Sequence, residues 1–470
     1  MSVRTHHTRG ISSGPVTPWP PELSRWGSDS ASTERSEAAT QSTWSCRPGG
    51  SQADRPPVRD VPHFLSAAGM AHAWTKRPGG FVLRVTLLVL LTIVVLPAMA
   101  AAEEPQDYRS RNFVVHTDLP KEEAEALLEK MEVMLKMISR YWGAPLRKPV
   151  ECYVVVNDSN WAASALPAQA RPIVQNGGIT IAQGTRRGNV FNLTATVYAS
   201  SKFGTAQHEA VHAYCYHTFG VTGPTWYAEG MAEMGNYWDP DDSAVTAPPY
   251  VIDFLKRSTA KTLTEITDNN QRTGDGWQNY AWRWALCHFL VNNPNYRDRF
   301  RQLGISYLKQ GTTSFQRAYA SQLQELEFEF DLFTEHLGVG LNAETTAWNW
   351  KTRPRKPSSK RTMTTRVYAH RGWQATNALV SAGQEYRLTT EGTWFVASDE
   401  EVTADGGEDG RGKLEAVLLK DFQLSEPFEL GTADTFTAPG DGQLILRCRD
   451  TWTKLGDNSG AITVKILASE

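Results

Sequence analysis

The sequence predicts an α+β chain in three parts: a strand-rich half, a helical half and a terminal all-β sandwich. Three observations carry this. Up to about residue 200, β-branched apolar runs alternate with one long helical rhythm. Helix-period segments then dominate as far as residue 337, and after residue 363 short alternating runs are separated by Gly, Asp and Asn. At 470 residues the chain has room for more than one domain, and 40% hydrophobic content with 16 Trp supplies packed cores.

Residues 1–69 are rich in Ser, Pro, Arg and Gly without apolar periodicity, which predicts a disordered or spurious extension. Residues 70–102 have another character. Met70 precedes Lys76, Arg77 and Arg84, then the apolar run VTLLVLLTIVVLP, then Ala98-Met99-Ala100. That order is the one found in secretory signal peptides, and a run of 13 residues is short for a membrane span. The expectation is a true start at Met70 and a secreted or periplasmic product. The alternative is an uncleaved membrane anchor with a cytoplasmic tail of 69 residues.

Beyond the leader, 38 Lys and Arg stand against 45 Asp and Glu, a net charge of −7. A mildly acidic chain has no electrostatic footprint for nucleic acid. Cys152, Cys215, Cys287 and Cys448 remain after the leader. In an exported protein they permit two disulfides, or they are buried thiols, and spacing leaves both open.

FVVHT at 113–117 and CYVVV at 152–156 predict buried strands. Between them a helical rhythm runs from Pro120 to Trp142, with Pro120 suited to a first turn and Gly143 to a stop. GGITIA at 177–182 and TATVYA at 194–199 predict two more strands around the polar turn GTRRGN. Helical periodicity then returns in YVIDFLK (250–256), YAWRWALCHFLV (280–291), residues 294–309 and residues 315–337. This first domain spans 103–348. NWKTRPRKPSSKRT at 349–362 is polar, basic and proline-containing, which predicts a linker. From 363 to 470, runs such as EYRLTTEGTW, LEAVLLKD and AITVKIL predict the sandwich.

The chemistry concentrates in HEAVH at 208–212 and PTWYAEG at 224–230. Positions i and i+4 share a helix face, so His208 and His212 can grip one Zn²⁺ while Glu209 leans over the open position. Glu229 is placed to be a third ligand. The bland alternative is a surface helix whose two histidines merely sit one turn apart.

These motifs resemble those of the gluzincin metallopeptidases, most closely the secreted bacterial peptidase MA-like proteins. His208, Glu209 and His212 match the first gluzincin motif, and Trp226, Glu229 and Gly230 match the second, W-x-x-E-G. The likeness runs from about Arg111 to about Gly338. It implies a zincin-like domain and a secreted zinc peptidase acting on a peptide or protein, with Glu209 as general base and one of the two later strands as the edge that receives substrate. It also implies a Tyr or His donor from the helical half. Tyr280 is the first choice, because it opens a helix after the TGDGW loop, with His288 and Tyr227 as alternatives. Glu233, four residues after Glu229, is placed either to hold a ligating imidazole or to stand exposed. His217 is turned from the metal face, and His116, His336 and His370 lack ligand spacing.

Trp373, AGQEYRLTTEGTW, APGDGQLILRCRD and LGDNSGAITVKI resemble the calcium-dependent galactose-binding bacterial lectins. The likeness implies Ca²⁺ and carbohydrate at Asp450, Asp457 and Asn458, which match the lectin ligand positions. One departure stands out: the ligand from an earlier lectin loop has no counterpart near Val396. The alternative is that Asp450 and Asn458 cap a turn. For the whole chain, the reading from a different class is a catalytically inactive exported binding protein.

Overall fold

The computed structural model describes residues 104–470 apart from 188–189, 240–241, 269, 271–275 and 398. The expected extension at 1–69 and the expected signal segment at 70–102 therefore lie outside the described residues, as do residues 273–275 of the TGDGW loop. The chain is α+β, as the sequence predicts.

Its first sheet uses β1 (Gln106–Arg109), β2 (Phe113–Thr117), β3 (Val150–Val155), β4 (Gly178–Arg187) and β5 (Val190–Ser200) in the order β1-β2-β3-β5-β4. The inner strands β2, β3 and β5 run parallel, and antiparallel β1 and β4 form the two edges. Helix α1 (Lys121–Trp142) connects β2 to β3. Its first turn carries Glu122 and Glu123, favourable at the positive end of the helix dipole. At its other end Gly143 takes the left-handed conformation, and the chain there returns two N–H groups to the last turn. Leu128, Met131, Leu135 and Ile138 recur at helical spacing and are buried against the sheet and the helices that follow.

The helical half contains α2 (Thr205–Phe219), α3 (Thr225–Tyr237), α4 (Pro249–Arg257), α5 (Leu263–Ile266), α6 (Trp277–Asn292), α7 (Arg297–Leu308), α8 (Phe315–Tyr319) and α9 (Leu323–Glu335). One helix was expected over 315–337, and the structure breaks it at 320–322. The break lets two apolar sets reach different partners. Phe315 and Tyr319 pack on Trp226 and Tyr296, whereas Phe330 and Phe333 pack on Phe289 of α6. No helix among the described residues is long and apolar enough to cross a membrane.

The terminal part contains β6 (Met363–Tyr368), β7 (Gln374–Val380), β8 (Glu385–Glu391), β9 (Trp394–Val396), β10 (Glu400–Val402), β11 (Leu414–Lys420), β12 (Gln423–Leu424), β13 (Phe428–Glu429), β14 (Thr435–Thr437), β15 (Gly442–Cys448) and β16 (Ser459–Ala468). One sheet is β10-β9-β16-β8-β14 with β6 also on β16, and the other is β12-β11-β15-β7 with β13 on β11. Period-2 alternation sorts their residues. Leu414, Ala416 and Leu418 face inward with Leu444 and Leu446, while Val417 and Ile445 face out and join Phe328, Trp348 and Trp373 in a separate apolar cluster. That outward face is covered by the end of the helical half. Residues 349–362 take part as well: Arg355 bridges to Ala378, its N–H donating to Asn377 and its carbonyl accepting from Leu379. The four cysteines are buried free thiols, which closes the disulfide alternative.

Candidate metal centre

Every residue of α2 from His208 to Cys215 is buried. Its start is fixed by Gly204 at φ 64°, a left-handed turn where any Cβ would collide with the Asn236 side chain. Helix α3 then returns antiparallel to bring Glu229 under the two histidines. Gly230 is what allows α3 to approach α6, because a Cβ there would lie 2.5 Å from Cys287 Sγ and 2.7 Å from the Arg283 carbonyl oxygen.

The structure brings the three predicted ligands together. His208 Nε2 lies 3.2 Å from His212 Nε2 and 3.2 Å from Glu229 Oε2, and His212 Nε2 lies 3.4 Å from the same oxygen. A tetrahedral ion with ligands at about 2.0–2.1 Å requires donor atoms about 3.3 Å apart. The three edges match one face of that tetrahedron, so the donor set fits a metal ion. Among the described residues, no other group of three His, Cys, Asp or Glu is spaced to hold one.

The electrostatics agree with a cation site. Glu229 is fully buried, which by itself opposes ionisation, but the His212 and His208 imidazoles outweigh burial and hold its carboxyl far below the usual range. Burial likewise opposes charge on His208, and its contacts with Glu229 and Glu233 reverse the effect, leaving its pKa raised. Burial pushes the Glu209 carboxyl up, against the pull of both imidazoles and of Thr180.

Glu233 is not an exposed helix carboxylate. Its Oε1 lies 3.2 Å from His208 Nδ1, on the side of the ring away from the cluster. Asn236 in turn donates to Glu233 Oε2 at 3.2 Å. Sequence reasoning did not identify Thr180. Its hydroxyl lies 2.8 Å from Glu209 Oε2 and 2.9 Å from the Glu209 carbonyl oxygen. The signal was in GGITIA, where Ile179 and Ile181 go to one face and Gly178, Thr180 and Ala182 to the other. The second face is the one pressed against α2: a Cβ on Gly178 would sit 2.6 Å from Glu209 Cγ. Of the two candidate strands, β4 is the sheet edge.

Tyr280, on the first turn of α6, has its ring centroid 5.9 Å from that of His208, and the Arg283 guanidinium lies over the Tyr280 ring at 5.4 Å. The two alternatives lie elsewhere. His288 is buried between Trp284 and Phe333, and the Tyr227 hydroxyl accepts from the Trp142 indole at 2.7 Å. His217 faces away from the metal ligands and contacts the Ala195 backbone.

In the sandwich, Asp450 and Asn458 come together and Asp457 stands exposed at the end of the 452–457 turn. Asn458 Nδ2 donates to Asp450 Oδ2 at 3.0 Å, and Asn458 Oδ1 accepts from the Ala397 N–H at 3.1 Å. Asp450 Oδ1 accepts from the Thr451 N–H at 2.7 Å. Asn458 thus offers Asp450 a donor rather than a second oxygen. As placed, the two side chains lock the turn that carries them.

No protein-family model matches this chain, and no curated protein matches it. Among solved structures it is similar to the N-terminal domain of EclA, a PllA-like lectin, at 17% identity over 23% of this chain and 96% of that one, with a TM-score of 0.19. A likeness at that level carries no argument about fold or ligand.

Proposed function

We propose that this chain is a zinc-dependent hydrolase of peptide bonds, of the gluzincin type that its two motifs resemble. The observation that carries the reading is the triangle of His208, His212 and Glu229 donor atoms at 3.2–3.4 Å, with Glu209 beside it. Two imidazoles and one carboxylate form the ligand count of catalytic rather than structural zinc, because the fourth position stays open. When bound, zinc supplies Lewis acidity, acidifying water and polarising a carbonyl.

The chain's own residues do the rest. Glu209 accepts a proton from the attacking water and returns it to the leaving amine. Glu233 accepts from His208 Nδ1–H, which leaves the Nε2 lone pair for the metal. Tyr280, beside His208, is the donor for the developing oxyanion. An extended peptide adding to the β4 edge would bring its backbone past Glu209.

The test is metal analysis followed by a peptide-library digest, on the parent and on Glu209→Gln. The expected result is one equivalent of zinc in both proteins, with cleavage only by the parent. A Glu209→Gln protein that cleaves as well as the parent would remove Glu209 from the chemistry. A chain that takes up no zinc on reconstitution would end the reading.

A further inference from the structure

We propose that Thr180 is a positioning residue for Glu209, through which the edge strand β4 sets the direction of that carboxylate. Three features support it. First, Thr180 is 96% buried, its relative exposure being 4%, so its hydroxyl meets protein acceptors rather than bulk water. Second, that hydroxyl has one proton and two acceptors, Glu209 Oε2 at 2.8 Å and the Glu209 carbonyl oxygen at 2.9 Å. The charged oxygen is the stronger acceptor, so the proton goes to the side chain. Third, Gly178 lies on the same face of β4 and leaves no room between strand and helix, a Cβ there falling 2.6 Å from Glu209 Cγ and 3.0 Å from Oε1. Contact on one side and a hydrogen bond on the other fix the carboxylate's rotamer.

The consequence is that one strand has two tasks. β4 is the edge strand of its sheet, and its inward side chains hold the group that serves as base. Binding on the edge and orientation of the base are thereby joined through a single residue. Thr180 touches neither the three metal-ligand atoms nor, on this geometry, a substrate strand, so its effect passes through Glu209. The kinetic part of this inference rests on the hydrolase reading above, whereas the contact itself does not.

The experiment compares Thr180→Val, which keeps the shape and removes the hydroxyl, with Thr180→Ser, which keeps the hydroxyl, each alone and combined with Glu209→Gln. The first readout uses metal-free protein labelled with ¹³C at glutamate side-chain carboxyls, the Glu209 signal being assigned by its loss in Glu209→Gln. Thr180→Val should move that signal and Thr180→Ser should leave it near the parent position. The second readout is the affinity of the zinc-loaded proteins for a peptide hydroxamate, which requires the base carboxylate to take its proton. Thr180→Val should weaken it by about tenfold, a fraction of what a general base contributes, and should add nothing once Glu209→Gln is present. On a cleaved peptide the same variant should lower kcat by about tenfold with KM within about twofold.

An unmoved carboxyl signal, a Thr180→Ser variant as impaired as Thr180→Val, or effects that multiply with Glu209→Gln would each overturn the inference. If no peptide is cleaved while the carboxyl signal and hydroxamate affinities follow the stated pattern, the hydrolase reading fails and the positioning role stands. If peptides are cleaved and Thr180→Val matches the parent, the reverse holds. Should Thr180→Val fail to fold, Thr180→Ala replaces it in all three measurements.

Discussion

Glu233 Oε1 lies 3.2 Å from His208 Nδ1, directly behind the imidazole whose other nitrogen joins the ligand triangle. The bond fixes both the ring's orientation and its tautomer, and a carboxylate there makes the imidazole a more basic ligand. Replacement by Gln keeps the shape and loses the charge. We expect Glu233→Gln to weaken metal affinity by about 10-fold to 100-fold, measured by competition with a chelator of known affinity. An unchanged affinity would assign Glu233 to fold stability alone.

Gly230 belongs to the second motif for a reason of packing rather than chemistry. It faces Cys287 Sγ and the Arg283 carbonyl oxygen, both on α6, at distances where no Cβ fits. Gly230→Ala should therefore push α3 off α6 and destabilise the fold by about 1–3 kcal/mol, read from the midpoint of denaturant unfolding at constant slope. Because Glu229 precedes it, the same variant should also bind metal more weakly. Stability equal to the parent would show that the helices can part without penalty.

These two residues mark what the sequence could and could not convey. The ligand set was legible because i and i+4 spacing on a helix is a local property, so His208 and His212 needed no knowledge of the fold. The buried strands were legible for the same reason, and FVVHT is β2 residue for residue. Thr180 was not legible, since its contact with Glu209 spans 29 residues and exists only once β4 lies against α2. The break at 320–322 carries no Gly or Pro and follows from which neighbours bury each apolar set. Asn458 matched a lectin ligand position by order alone, and order does not tell which end of an amide turns toward Asp450.

Glu329 is the hub that joins the helical half to the segment entering the sandwich. Its two buried oxygens accept from five neutral donors: the Asn293 and Asn295 side chains, the Tyr296 hydroxyl, the Trp348 N–H and the Trp350 indole. Gln in its place presents an N–H₂ to groups that are themselves donors. Leaving buried donors unmatched costs about 1–3 kcal/mol each, so Glu329→Gln should destabilise the protein by several kcal/mol. Hydrogen exchange at the Trp348 amide should accelerate with it. Protection at Trp348 equal to the parent would show that the bond does not hold that segment.

His288 gives the fold an acid limit that is independent of the His208, His212 and Glu229 cluster. It is buried on α6 between Trp284 and Phe333, and its Nε2 has no hydrogen-bond partner among the described residues. Burial lowers its pKa from 6.5 to about 4. The sign follows from which state holds the proton more tightly. Above pH 6.5 both folded and unfolded chains carry a neutral ring, and His288 adds no pH dependence. As pH falls below that value the unfolded chain takes up a proton that the folded one refuses, so stability declines until the folded ring titrates near pH 4. Across the window the loss amounts to about 3 kcal/mol. His288→Phe, which fits an aromatic site, should flatten the stability profile between those two values while leaving stability above pH 7 within about 1.5 kcal/mol of the parent. A variant whose unfolding free energy falls with acid as steeply as the parent's would move the acid sensitivity to other groups.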